Sequence, residues 1–124
     1  MLSKGVRDEE SIRIDNVLKT LLSIVFVPKA LTEKDTIAIE NQLKKWRLNT
    51  KNLVDFTSKD LMEHLLKFHL NWNHLEQFAD FLVHLSNKTQ VDFSEKAIEI
   101  YHYVQLESKT FSFEIYNKIE AIKK

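Results

Sequence analysis

Five histidines and a regularly spaced set of carboxylates are the residues of this 124-residue chain whose types could do chemistry. Glu76, Asp80 and His84 follow one another at four-residue steps, so a helix through them carries all three on one face. Asp60 and His64 repeat the same step upstream. Helical bundles hold metal ions with carboxylates and imidazoles turned inward from several helices, so a metal site is one reading of this pattern. The other is a solvated stripe. Leu75, Phe78, Ala79 and Leu82 form the apolar face of the same helix, and the acidic stripe lies mostly opposite it, toward water. No His-Glu-x-x-His pair supports a metal centre, and the stripe is read as surface. His102, between Tyr101 and Tyr103, is expected to be partly buried and hydrogen-bonded.

Other reaction classes find little in the chain. The absence of cysteine excludes thiolate nucleophiles, thiolate metal sites and disulfides within it. A single glycine leaves no phosphate-cradling loop, and there is no Gly-x-Ser-x-Gly elbow. No catalytic residue and no cofactor box are assigned, and a metal-dependent helical enzyme stands third among the functional readings. One cluster looks suited to nucleic acid: Lys44, Lys45 and Arg47 around Trp46, with Lys51 beyond. The cations could neutralise phosphates and the indole could stack on a base. Basic residues are also the expected complement of a helix C-terminus, and Trp46 fits an apolar stripe.

The elements that would position these residues are helices. One Gly and one Pro in the whole chain are too few for the tight turns of hairpin sheets. Ile14, Val17, Leu18, Leu21, Leu22 and Val25 step by three and four, which predicts a helix from about Glu9 to Phe26, ended by Pro28. Thr32-Glu33-Lys34-Asp35 has the form of a capping box and opens a second helix carrying Ile39, Leu43 and Trp46. RLNTKN at 47–52 reads as its end. Further helices are predicted over 57–70, from Asn73 as cap up to a polar link at 86–90, over 94–107 and over 110–122.

Two hexapeptides stand out, VDFTSK at 54–59 and VDFSEK at 91–96, 37 positions apart. With Thr57 and Ser94 as N-caps, Phe56 and Phe93 fall at N′ and Leu61 and Ile98 at N4, so both read as hydrophobic staples. Aligned at the same offset, 60–82 and 97–119 share no identical residue, which favours one capping device used twice over a sequence repeat.

The resulting expectation is a single all-α domain over 1–124, with 1–8 as a flexible N-terminus. About six helices would form successive antiparallel hairpins, as a compact bundle or a short solenoid-like stack. The charged N-terminus lacks the apolar core of a signal peptide and no apolar run reaches the roughly 20 residues of a membrane span, so a cytoplasmic protein is expected. Net charge is zero, yet 29–59 carries seven basic and four acidic residues and 60–107 three and eight. The end of helix one is apolar on nearly every side. It is either the centre of the bundle or a seam for a partner or a second copy, with Leu21, Leu22, Val25 and Phe26 as interface residues and Trp72 as a further anchor. The function expected is a small non-catalytic interaction or adaptor module, self-associating or bound to another protein. The alternative is nucleic-acid binding through Lys44, Lys45, Arg47 and Lys51, and no small-molecule ligand is identifiable from sequence.

Overall fold

The computed structural model describes the backbone of residues 2–123 and the side chains of residues 9–123. Seven helices follow one another: α1 (Leu2–Phe26), α2 (Glu33–Lys44), α3 (Thr50–Asp55), α4 (Ser58–Lys67), α5 (Trp72–Lys88), α6 (Ser94–Ser108) and α7 (Phe113–Lys123). Among the described residues there is no strand. The flexible segment expected at 1–8 falls on residues whose side chains lie outside those described.

The stack is compact because α1 closes onto α5, a helix far from it in chain order, while α5 also pairs with α6. A solenoid packs only neighbours, so the arrangement is a bundle. Its central helix is α5, not α1: His74, Leu75, Phe78, Ala79, Phe81, Leu82 and Leu85 are all buried, more than one face of a helix. On α1 the stripe Ile14, Val17, Leu18, Leu21 and Val25 is buried against the core. This corrects the seam reading for Leu21 and Val25, which are fully enclosed by their own chain and cannot meet another.

Local chemistry explains most helix ends. Thr32 accepts from the Asp35 N–H at 3.1 Å while the Asp35 carboxylate accepts from the Thr32 N–H at 2.9 Å, so two orphan donors of α2 are satisfied reciprocally. The segment expected to be only a turn after α2 holds the short helix α3, opened by Asn49 and Asn52 in the same reciprocal form. The cap of α5 is Asn71 rather than Asn73. Asn71 Oδ1 accepts from the His74 N–H at 2.9 Å, and His74 Nδ1 accepts from the Asn71 N–H at 3.1 Å. Histidine thus takes the part that glutamate usually plays.

The two hexapeptides differ in the way they start a helix. Thr57 caps α4, its hydroxyl accepting from the Asp60 N–H at 3.0 Å. At α6 the Ser94 side chain makes no capping bond; Asp92 Oδ1 accepts from the Ser94 N–H at 2.8 Å, and the Phe93 N–H donates to Ser86 Oγ at 2.7 Å. The device is therefore not repeated, although the two segments lie close together in space: Lys96 Nζ reaches the Val54 carbonyl at 3.5 Å. Helices α2, α4 and α6 each run out through a left-handed residue, Arg47, His69 and Lys109. Glycine normally takes such a position, but the chain's one glycine is Gly5.

Candidate functional site

The polar face of α5 does not point to water. Glu76 and Asp80 are mostly covered, and α7 lays Lys118 across them, with Nζ 2.6 Å from Glu76 and 3.1 Å from Asp80. From α6, the buried Tyr101 donates its hydroxyl to Asp80. This corrects the solvated-stripe reading. The stripe lies opposite the apolar face of α5, as expected, but a central helix has neighbours on both sides, and the second side is closed by α6 and α7. Glu76 and Asp80 hold a lysine there, and among the described residues no group of three or more His, Asp or Glu is placed to hold a metal.

The electrostatics of this clasp are self-consistent. Burial of the Tyr101 phenol and its bond to Asp80 push its pKa well above the ordinary range. Burial opposes the Lys118 charge, but the hydrogen bond to Glu76 and the charge of Asp80 outweigh it and raise the lysine further. His84, one turn beyond Asp80, is lowered by its own burial despite the nearby carboxylate, and its ring meets Phe26 edge-on at 4.4 Å.

Two more histidines, His64 and His74, are structural. His64 Nε2 donates to the Trp46 carbonyl at 2.6 Å, and its ring sits between Phe56 and Phe68. A carbonyl can only accept, so the proton is on Nε2. The buried His74 uses Nδ1 as the acceptor at the cap, which leaves Nε2–H for Asp15 at 2.9 Å and ties α5 to α1. His102 is exposed, contrary to expectation: the buried face of α6 runs through Ala97, Ile100, Tyr101 and Val104, and His102 lies off it.

Elsewhere large apolar side chains face solvent, chiefly at the aromatic end where α6 turns into α7. Trp72 is 41% exposed and stands edge-on to Tyr103 at 6.0 Å. Leu106, one turn beyond Tyr103, is 73% exposed, and Phe111, Phe113 and Tyr116 are 61%, 74% and 47% exposed. Phe111 contacts Phe113 at 4.9 Å and Tyr116 at 6.1 Å between ring centres.

The turn that carries these rings is pinned to α6 by hydrogen bonds. Gln105 grips the backbone of Ser112 at both ends, accepting from its N–H at 2.8 Å and donating to its carbonyl at 3.1 Å. Ser112 Oγ in turn accepts from the Ile115 N–H at 3.2 Å. Phe111 and Phe113 flank this fixed residue. The Phe111–Tyr116 pair has a folding role as a staple across Ser112; Leu106 and Phe113 have no such partner in the bundle.

The residues singled out from sequence separate into three groups. Trp72 is exposed at the start of α5, against Tyr103 of α6. Leu22 is half-buried and Phe26 is 54% exposed, beside His84. Lys44, Lys45, Arg47 and Lys51 are all exposed, but Trp46 is buried in the core and cannot stack on a base. Sequence reasoning missed the aromatic end and Gln105. The available signal was Phe111-Ser112-Phe113-Glu114-Ile115-Tyr116, a second staple in which only Ile115 is buried.

No helix among the described residues is long and apolar enough to cross a membrane. Comparison of the chain with protein-family models, with curated proteins and with solved structures gives no match.

Proposed function

We propose that the chain is a small helical protein-interaction module, cytoplasmic and without catalysis of its own, that docks a protein partner on its aromatic end. The observation that carries this reading is the outward display of Leu106, Phe111, Phe113 and Tyr116 around a turn pinned by Gln105, with Trp72 also exposed on α5. Aromatic side chains dominate the energetics of protein interfaces, and holding them in place beforehand reduces the ordering cost of binding. At about 200 Å² per aromatic side chain, the exposed fractions of Phe111, Phe113 and Tyr116 sum with Leu106 to roughly 500 Å². That is more than half of the ~800 Å² per partner of a standard interface and lies in the upper part of what a monomer leaves bare.

The nucleic-acid alternative has its four cations on the surface but lacks the stacking ring. The test is an affinity pull-down from the host lysate at moderate and high salt, run beside light scattering on the pure protein. Wild type is compared with a Phe111→Ser/Phe113→Ser double variant. A stoichiometric partner that survives high salt with wild type and is lost with the variant supports the reading, whether that partner is another protein or a second copy. Equal capture by both proteins, or capture that vanishes with salt, overturns it.

A further inference from the structure

The two VDF segments that open α4 and α6 converge on a cleft that the aromatic end does not touch. Val54 and Val91 stand at its rim, 47% and 40% exposed, and Leu31, Ile39, Leu85 and Phe93 form its interior. Its volume is about 290 Å³. Three threonines complete the wall, and each hydroxyl is already committed: Thr36 to the Thr32 carbonyl at 3.2 Å, Thr50 to Glu40 at 2.6 Å and Thr89 to the Leu85 carbonyl at 3.1 Å. The wall therefore offers a visitor apolar surface and few free hydrogen bonds.

The one charged residue in the wall is Lys51, exposed at the edge. Lys96 lies close by, 3.5 Å from the Val54 carbonyl. Glu40 is the nearby acid from α2, and its two oxygens are occupied by the Thr50 N–H at 3.0 Å and the Thr50 hydroxyl. Asp55 and Asp92 follow the two valines in the chain but are not part of the wall, and Asp92 is turned to the Ser94 N–H. An apolar hole with a cation at its edge is complementary to a molecule with an apolar body and one anionic head.

We infer that this cleft binds a single-chain amphipathic carboxylate, its alkyl chain between Leu31, Ile39, Leu85 and Phe93 and its head at Lys51. At roughly 30 Å³ per non-hydrogen atom, the share a water molecule takes in the liquid, the cleft holds about nine or ten atoms. Counting the two carboxylate oxygens, the ligand class is thus a free alkyl carboxylate of about eight carbons. A lysine assigned from sequence to nucleic-acid binding takes a different role in this reading.

The experiment is calorimetric titration of the full chain with butanoate, hexanoate, octanoate and decanoate at pH 7.5, below micelle formation, with octylamine as the cationic control. Affinity is expected to rise about fourfold per methylene and level off near about eight carbons. Octylamine is expected to bind at least tenfold more weakly than octanoate. Val91→Asp, at an exposed loop position, should weaken octanoate at least tenfold with an unchanged melting temperature. Lys51→Glu should abolish the preference for acid over amine. The inference is overturned by an absence of saturable binding, by affinity that does not grow with chain length, by equal binding of octylamine, or by a folded Val91→Asp variant that binds as well as wild type.

Discussion

The polar clasp and the aromatic end use side chains in opposite ways. Where α7 lies against α5 and α6, Glu76, Asp80, Tyr101 and Lys118 satisfy one another, so the cleft of about 460 Å³ beside them is lined by polar groups that already have partners. Where the α6–α7 turn projects, Leu106, Phe111, Phe113 and Tyr116 are held outward and only partly matched. The polar cluster, which looks like chemistry in the sequence, serves the fold. The aromatic residues, which look like core, are left over from it. Residue type alone is a poor guide to function here; whether the residue has already found a partner within the chain decides more.

This contrast can be broken at either end, and the largest effect is expected at the clasp. Lys118→Met leaves Glu76 and Asp80 mostly covered and without their cation. Removing one partner of a buried pair strands the other charges, and with some solvent access the loss should be about 2 kcal/mol, read from urea unfolding. A change under about 0.5 kcal/mol would show the clasp to be incidental.

The pH dependence sharpens the same point. Tyr101 and Lys118 both titrate above their ordinary values of 10.0 and 10.5. The folded state keeps these protons after the unfolded chain has lost them. Their stabilisation is complete below pH 10 and drains away as pH rises above it. His84 is lowered from 6.5, so its contribution is complete above pH 6.5 and is lost as pH falls below that value. Thermal unfolding across pH should show both flanks, and Tyr101→Phe should soften the alkaline one alone.

A smaller version of the contrast lies in the two hexapeptides. Thr57→Ala removes a capping bond and should cost about 1 kcal/mol, whereas Ser94→Ala, at a position that caps nothing, should stay within about 0.5 kcal/mol. Equal losses would mean that both serve as caps after all. The smallest stability effect is expected at the aromatic end. Phe113→Ser should leave the unfolding midpoint within about 0.5 kcal/mol of wild type, because an exposed ring contributes little to folding.

What could be read from the chain beforehand was whatever local pattern decides. Pro28 ends α1, the Thr32–Asp35 box opens α2 and Thr57 opens α4, as their spacing predicts. Helix α3 escaped because six residues with one buried side chain, Leu53, leave no periodicity to count. Asn71 and Asn73 are equal as caps on paper; His74 decides between them by reaching back, and no simple rule gives histidine that part.

The acidic stripe and the aromatic end were illegible for a different reason. Which faces of a helix are covered depends on its rank in the bundle, and α5 takes the centre only because α1 returns to it. On α7, Tyr116 continued the pattern of Ile115 and Ile119 in sequence, yet the two isoleucines are buried and Tyr116 is exposed.

The return of α1 also bears on the order of assembly. Asp15 meets His74 and Val27 meets Lys88, partners 59 and 61 residues apart, while Gln105 and Ser112 are seven apart and α5 and α6 are joined by a short link. Closing the long span fixes far more chain before any contact rewards it. The rate-limiting event in refolding is then expected to be the arrival of α1 on a preformed α5–α6 hairpin. Core truncations in that hairpin, such as Leu82→Ala, should slow refolding, whereas Leu18→Ala in α1 should chiefly hasten unfolding.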